Sequence, residues 1–374
     1  MQCSFHYVHS ACCYLSHEHT SYLILCACVI AQRIATSASS DKLYESIFGE
    51  RFTVGSWETR TIFSRDRCSQ VRTPIFFGSF DQRHESAGGH GACAALVAVL
   101  AEWLHTHNVI PTKVELDGLI REGSAEWQRL CENEEYKTRF PNQHFDLDTV
   151  AAARAGLLKI GNGCTALFQP HLVRGASTAT EEAEKVRESL CDFVKGFQSF
   201  DQAWEQLEAA GPGIHIIAWN DHFFVLFVTA DSCYIFDTLG ERLYEGCDQA
   251  YILRFDSSTL LTRINPNPIP VKVDEPEVAK ECLQEEAGSL SGRSVSFQST
   301  SSALTESSGE DGEAVSVPVL TPMKKCGQFV KAFYAALPVG QLDQDIEKGL
   351  VRDTGVAIGR LQVDVHSTML SVVA

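Results

Sequence analysis

The chain has no Cys-x-x-Cys pair, although 14 of its 374 residues are cysteines. Five of them (Cys3, Cys12, Cys13, Cys26 and Cys28) crowd the first thirty positions, and the other nine are scattered. Disulfide scaffolds are short and cysteine-dense, so that class is excluded, and the thiols read as the reduced ones of a cytoplasmic protein. There is no apolar run of 18 residues either. The best candidate, Ser21 to Ala31, is eleven residues long, too short to cross a bilayer. Basic side chains are in deficit: 31 Lys and Arg stand against 48 Asp and Glu, a formal charge of −17. Phosphate backbones need a basic surface, so nucleic acid is not an expected partner. The first basic residue is Arg33, which leaves a signal peptide without its positive start.

Composition shifts divide what remains. Residues 1–51, rich in Cys, His and Ser, read as an unstructured extension. Between Val271 and Ala314 ten acidic residues face three basic ones, and nine serines fall between Ser289 and Ser308. Low hydrophobicity with excess charge cannot offset the entropy of ordering, so 266–321 is expected to be a disordered linker. It separates a body, 52–265, from a C-terminal piece, 322–374. In that piece Met323 to Ala336 and Leu342 to Leu350 read as amphipathic helices, and Leu361, Val363 and Val365 alternate like a half-buried strand. Its apolar faces need cover, so it is expected to dock on the body.

Within the body, Pro74 to Phe80 reads as a strand, and glycines at 88, 89 and 91 lead into a buried helix, Ala92 to His105. Thr112 with Glu115 has the spacing of a capping box and opens a helix over Lys113 to Arg121; Trp127, Leu130 and Cys131 suggest a further short one. Leu147 to Ala155 forms another, stopped at Gly156, and Ser199 with Gln202 caps Phe200 to Ala210. The period then changes. Ile214 to Trp219, His222 to Val228 and Cys233 to Phe236 are short runs rich in β-branched and aromatic residues, parted by Asn220-Asp221 and Ala230-Asp231-Ser232. Helices followed by antiparallel strands give an α+β fold.

One cysteine is placed unlike the others. Cys93 follows Gly-Gly-His-Gly-Ala in the first turn of the buried helix, where unpaired N–H groups and the helix dipole favour a thiolate. Read blandly, it is a small apolar residue packing that helix. A hairpin turning between Ala230 and Asp231 pairs residues whose numbers add to about 461, which brings Asp237 within diagonal reach of His222. An imidazole held by a carboxylate can deprotonate a thiol; equally, the two form a structural pair across strands. His222 as a cation beside Cys93 would lower the thiol pKa further. No metal or other cofactor is expected. His84, His90 and Cys93 offer only three ligands on a glycine-rich loop, and Gly88 to Gly91 lacks the Lys-Ser/Thr of a phosphate loop.

The segment from His222-Phe-Phe-Val-Leu-Phe-Val to Cys233-Tyr-Ile-Phe-Asp237-Thr-Leu-Gly240 resembles the histidine strand, turn and aspartate strand of papain-like peptidases, above all those that process bacteriocin leaders. A broader resemblance covers Ala92 to Trp103, Leu119 to Trp127, Arg139-Phe-Pro-Asn-Gln-His-Phe-Asp146, Trp219 to Leu226, Asp237 to Gly246 and Lys325 to Leu350. These segments are similar to the C-terminal half of plant proteins that begin with an amino-terminal-type C-two domain, a lipid-associating β-sandwich. Residues 1–51 are too few to supply that domain, so the membrane targeting it would carry is not implied here. The resemblance implies a papain-like fold with Cys93, His222 and Asp237 in the triad positions. By analogy with the glutamine upstream of the cysteine in papain-like enzymes, Gln82 would be the oxyanion-hole amide. Two readings follow. The first is a non-catalytic interaction or scaffold protein with a protein or peptide partner, linked to membrane or trafficking processes. The second is a thiol hydrolase or acyl transferase. A buried Cys93 would favour the first.

Overall fold

In the computed structural model the described residues are 53–85, 87, 89–154, 157–161, 163–170, 172, 180–264 and 320–371. Residues 1–51 and 265–319, which include nearly all of the expected linker, lie outside them. The chain divides into two compact units at Ser56, and everything below concerns the second, Trp57–Ala374.

That unit opens with a hairpin, β1 (Trp57–Phe63) and β2 (Ser69–Phe77). A 3-10 turn over His90–Ala92 leads into α1 (Cys93–His107), which is largely apolar and buries ten of its fifteen residues. Next comes α2 (Lys113–Glu132), started by the Thr112–Glu115 capping box. The sequence suggests two short helices here, yet no proline interrupts the stretch and the structure has one of 20 residues. Gly123 lies where α2 crosses α1: a Cβ there would come within 2.8 Å of Leu96, so only glycine permits so close an approach. Two short helices, α3 (Glu134–Arg139) and α4 (Leu147–Ala153), complete this layer. Strands β3 (Leu158–Ile160) and β4 (Cys164–Leu167), helix α5 (Glu181–Lys195), strand β5 (Gln198–Ser199) and helix α6 (Phe200–Ala210) follow. The remaining strands of this half are β6 (Gly213–Trp219), β7 (His222–Val228), β8 (Cys233–Asp237), β9 (Tyr251–Phe255) and β10 (Leu260–Arg263). Residues 320–371 add α7 (Pro322–Phe329), a π-helical turn over Val330–Ala335, α8 (Ala336–Gly340), α9 (Leu342–Glu347), α10 (Thr354–Leu361) and β11 (Gln362–Leu370).

The strands form one mixed, mostly antiparallel sheet in the order β1-β2-β9-β8-β7-β6-β11-β4-β5, with β10 beside β2 and β3 beside β11. The fold is α+β. It departs from the expected helices-then-strands order in two ways. A hairpin precedes the helices, and β4 and β5 run parallel across a helical crossover. The last strand is not an edge: β11 lies between β6, through Val363↔Trp219, and β4, through Val363↔Ala166. Helix α1 packs on one face, against Ile216, Val225, Phe236 and Ile252. On the other, Phe329 packs at a tilt beside Phe255, and Tyr334 meets Phe224 edge to face.

At the β6–β11 seam His215 is buried, its Nδ1 3.1 Å from the Ser367 hydroxyl, and its Nε2 has no hydrogen-bond partner among the described residues. Burial, helped by the nearby His105, pushes its pKa from 6.5 down to about 4. The neutral ring is therefore the folded form. Its contribution is complete above pH 6.5 and is lost as pH falls toward 4. A loss of about 2–3 kcal/mol over that window is expected from this residue. Urea titrations at pH 7 and pH 4.5 check it: the gap between the two should narrow in His215→Phe, and an unchanged gap would rule out this histidine as the source.

Candidate active site

Cys93 is the first residue of α1, delivered there by Gly89 (φ 119) and the 3-10 turn. The β6–β7 hairpin turns through Asn220 and Asp221, both left-handed with φ of 47 and 63. Asn and Asp tolerate that region best among residues with a side chain, and two such residues make the tight turn that suits a twisted hairpin. This turn lies against the cysteine. The Cys93 sulfur is 3.9 Å from the Asp221 carbonyl oxygen, and the Phe223 N–H donates to it, so the thiol contacts the backbone on both sides of His222.

His222 opens β7, and Asp237 ends β8. Their hairpin has the register expected from its turn, with Val225 opposite Phe236 and Val228 opposite Cys233. His222 Nε2 lies 2.9 Å from Asp237 Oδ1, which also accepts the Leu239 N–H at 2.9 Å. Two residues that the sequence did not flag complete the cluster. The hydroxyls of Tyr251 and Tyr334 lie 3.0 Å from Asp237 Oδ2 and 2.6 Å from each other, so two phenol protons are shared among three oxygens. Tyr334 comes from the π-helical turn after α7, in the C-terminal piece. Its helix is readable from hydrophobic spacing, but the partner of one tyrosine on that helix is not.

Burial by itself would raise the Asp237 carboxyl, but the His222 ring and the Leu239 N–H outweigh it and hold its pKa below the ordinary value. Both tyrosines are pushed well above theirs, by burial first and the carboxylate second, and remain protonated donors. Cys93 departs from expectation. The helix start and His222 predict a lowered pKa, whereas burial pushes the thiol up to about 11, against the N–H groups of Ala94 and Phe223 that favour the thiolate. The side chain is 5% exposed, and desolvating a thiolate costs more than those N–H groups return. At neutral pH the protonated thiol is therefore the prevailing form.

Gln82 is buried beside the cluster. Its Oε1 accepts the Thr238 hydroxyl at 2.7 Å and its N–H donates to the Thr238 carbonyl at 2.9 Å. The structure thus ties Gln82 to the residue after Asp237, where it braces the aspartate strand. Asp81 reinforces the same loop by accepting the Gly240 N–H at 3.1 Å and pairing with Arg83 at 2.7 Å. His84 is exposed and its ring packs on Phe80. Among the described residues no group of three or more His, Cys, Asp or Glu side chains could hold a metal ion. Two cavities, of about 450 and 390 Å³, open elsewhere: one beside His105 and Thr229, the other beside Phe200 and Val339. Neither is lined by Cys93, His222, Asp237 or Gln82. No helix among the described residues is long and apolar enough to cross a membrane.

Among solved structures the chain is similar to the ubiquitin-specific protease encoded by murine cytomegalovirus tegument protein M48, in complex with a ubiquitin-based suicide substrate. Identity is 12% over 51% of this chain and 87% of that one, with a TM-score of 0.31. No curated protein matches the chain. Residues 59–368, which take in all of the sheet but the outermost two residues of β1 and of β11 and include every residue of the cluster, match the family described as a domain of unknown function, DUF8490. The chain belongs to the DUF8490 family.

Proposed function

We propose that the chain is a non-catalytic interaction or scaffold module on a papain-like framework, in which Cys93, His222 and Asp237 form a structural hub. The observation that carries this reading is the state of Cys93: packed against the Asn220–Asp221 turn, 5% exposed, its thiol raised to about 11. A nucleophile needs the reverse, a low pKa and an open approach. Asp237 fits the same reading, because its second oxygen is taken by two tyrosines that hold residues 320–371 to the sheet. The partner is a protein or peptide.

A second reading, a thiol hydrolase or acyl transferase, is favoured by one feature. His222 faces Asp237 through Nε2, which leaves Nδ1 as the ring nitrogen that could take a proton from Cys93. Alkylation separates the two. With iodoacetamide at pH 6, Cys93 is expected to stay unlabelled in the native protein and to label only after unfolding. The partly exposed Cys68 and Cys164 report that the reagent is active as pH rises. Rapid labelling of Cys93 at pH 6, slowed by His222→Ala, would overturn the scaffold reading in favour of the hydrolase.

A further inference from the structure

Two of the buried cysteines face one another. Cys233 begins β8, Cys326 lies in the middle of α7, both are fully buried, and neither is in a disulfide. A helical side chain leans toward the N-terminus of its helix, so Cys326 covers the turn that contains Pro322. The Cys233 thiol donates to the Pro322 carbonyl at 3.4 Å, which brings it to that same turn and into the electrostatic surroundings of the Cys326 thiol. Their meeting is fixed by the seating of α7. A Cβ on Gly327 would fall 2.7 Å from Trp204, whose Nε1 donates to the Met323 carbonyl at 2.7 Å. Lys325 Nζ donates to the carbonyls of Asp256 and Ser257 at 2.9 and 3.1 Å.

We propose that Cys233 and Cys326 are a redox modification site, oxidised by a low-molecular-weight disulfide to a covalent latch between β8 and α7. One protein thiol loses its proton and attacks the small disulfide, forming a mixed disulfide and releasing one small thiol. The second protein thiol then displaces the other, so one protein disulfide forms, two protein thiols are oxidised, and the two protons end on two small thiols. Closing the bond brings the two sulfurs to about 2.05 Å. The latch joins the two sides of residues 265–319. It also fixes the helical run that carries Tyr334 to Asp237, and so controls the hub whether or not Cys93 is ever a nucleophile. Burial makes the pair slow to react, so oxidation proceeds through brief undocking of α7.

The test uses the full chain, reduced, incubated with glutathione disulfide, blocked with N-ethylmaleimide and digested without reductant. A peptide pair joining Cys233 to Cys326 is the expected product, lost on reduction and absent in Cys326→Ser. The oxidised protein should melt roughly 5 °C or more above the reduced one. Cys68 and Cys164, both partly exposed, show that the reagent has acted. If those two carry glutathione while Cys233 and Cys326 stay free, or each carries glutathione without a link, the latch does not exist. Because the linked peptide is read in the unaltered chain, poor folding of Cys326→Ser cannot mask the answer.

Discussion

Deleting residues 362–374 is expected to abolish cooperative folding. β11 satisfies ladder groups on both sides, pairing with β6 from Val363 to Ser367 and with β4 and β3 at opposite ends of its other edge. Its removal forfeits roughly ten backbone hydrogen bonds at about 1 kcal/mol each. It also exposes the cores around Val363 and Val365, both buried. The Thr368 hydroxyl, which donates to the Ile214 carbonyl and meets His105 at 2.8 Å, goes as well. A domain's whole stability is about 5–15 kcal/mol, so nothing remains to keep the truncated sheet closed. Circular dichroism on heating should show a gradual, non-cooperative loss of signal, with binding of a hydrophobic dye at room temperature. A sharp transition within a few degrees of the full chain would refute the central role of this strand.

The second large effect is expected at Asp237. Changing it to Ala leaves His222 unpaired and two buried phenol hydroxyls and the Leu239 N–H without their acceptor. Removing one member of a buried, hydrogen-bonded charge pair costs about 3–5 kcal/mol. Asp237→Asn keeps an acceptor for His222 and Leu239 and turns a donor toward the tyrosines, so about 1–2 kcal/mol is expected there. Tyr334→Phe removes one donor and should cost less than the alanine variant. Guanidinium titrations read all three. If Asp237→Ala shifts stability by less than about 1 kcal/mol, the carboxylate is not a hub.

Local signals in the sequence were accurate. The capping boxes at Thr112 and Ser199, the helix beginning at Cys93 and the register of the hairpin between His222 and Asp237 all follow from rules that act over a few residues. Other features depend on distant partners. Strands β3 and β4 are three and four residues long, too short for a periodic signal, and are strands because β11 reaches them from the far end of the chain. The environment of Cys93 is set by distant packing for a related reason. A cysteine at a helix start and a two-residue turn were each visible, but the packing of one on the other sets the sign of the thiol's pKa shift. Tyr251 and Tyr334 approach Asp237 from β9 and from the π-helical turn after α7, and no spacing rule links them.

The central position of β11 also sets the order of events during synthesis. Strands β6 and β4 leave the ribosome well before 362–370, and until then each presents an open edge of unpaired N–H and C=O groups at the middle of the future sheet. Such edges template pairing with other chains. Long-range pairing of this kind is slow, because loop closure must precede the contacts that reward it. A nascent chain of this protein therefore carries both edges uncovered until β11, made well after β4 and β6, comes to lie between them.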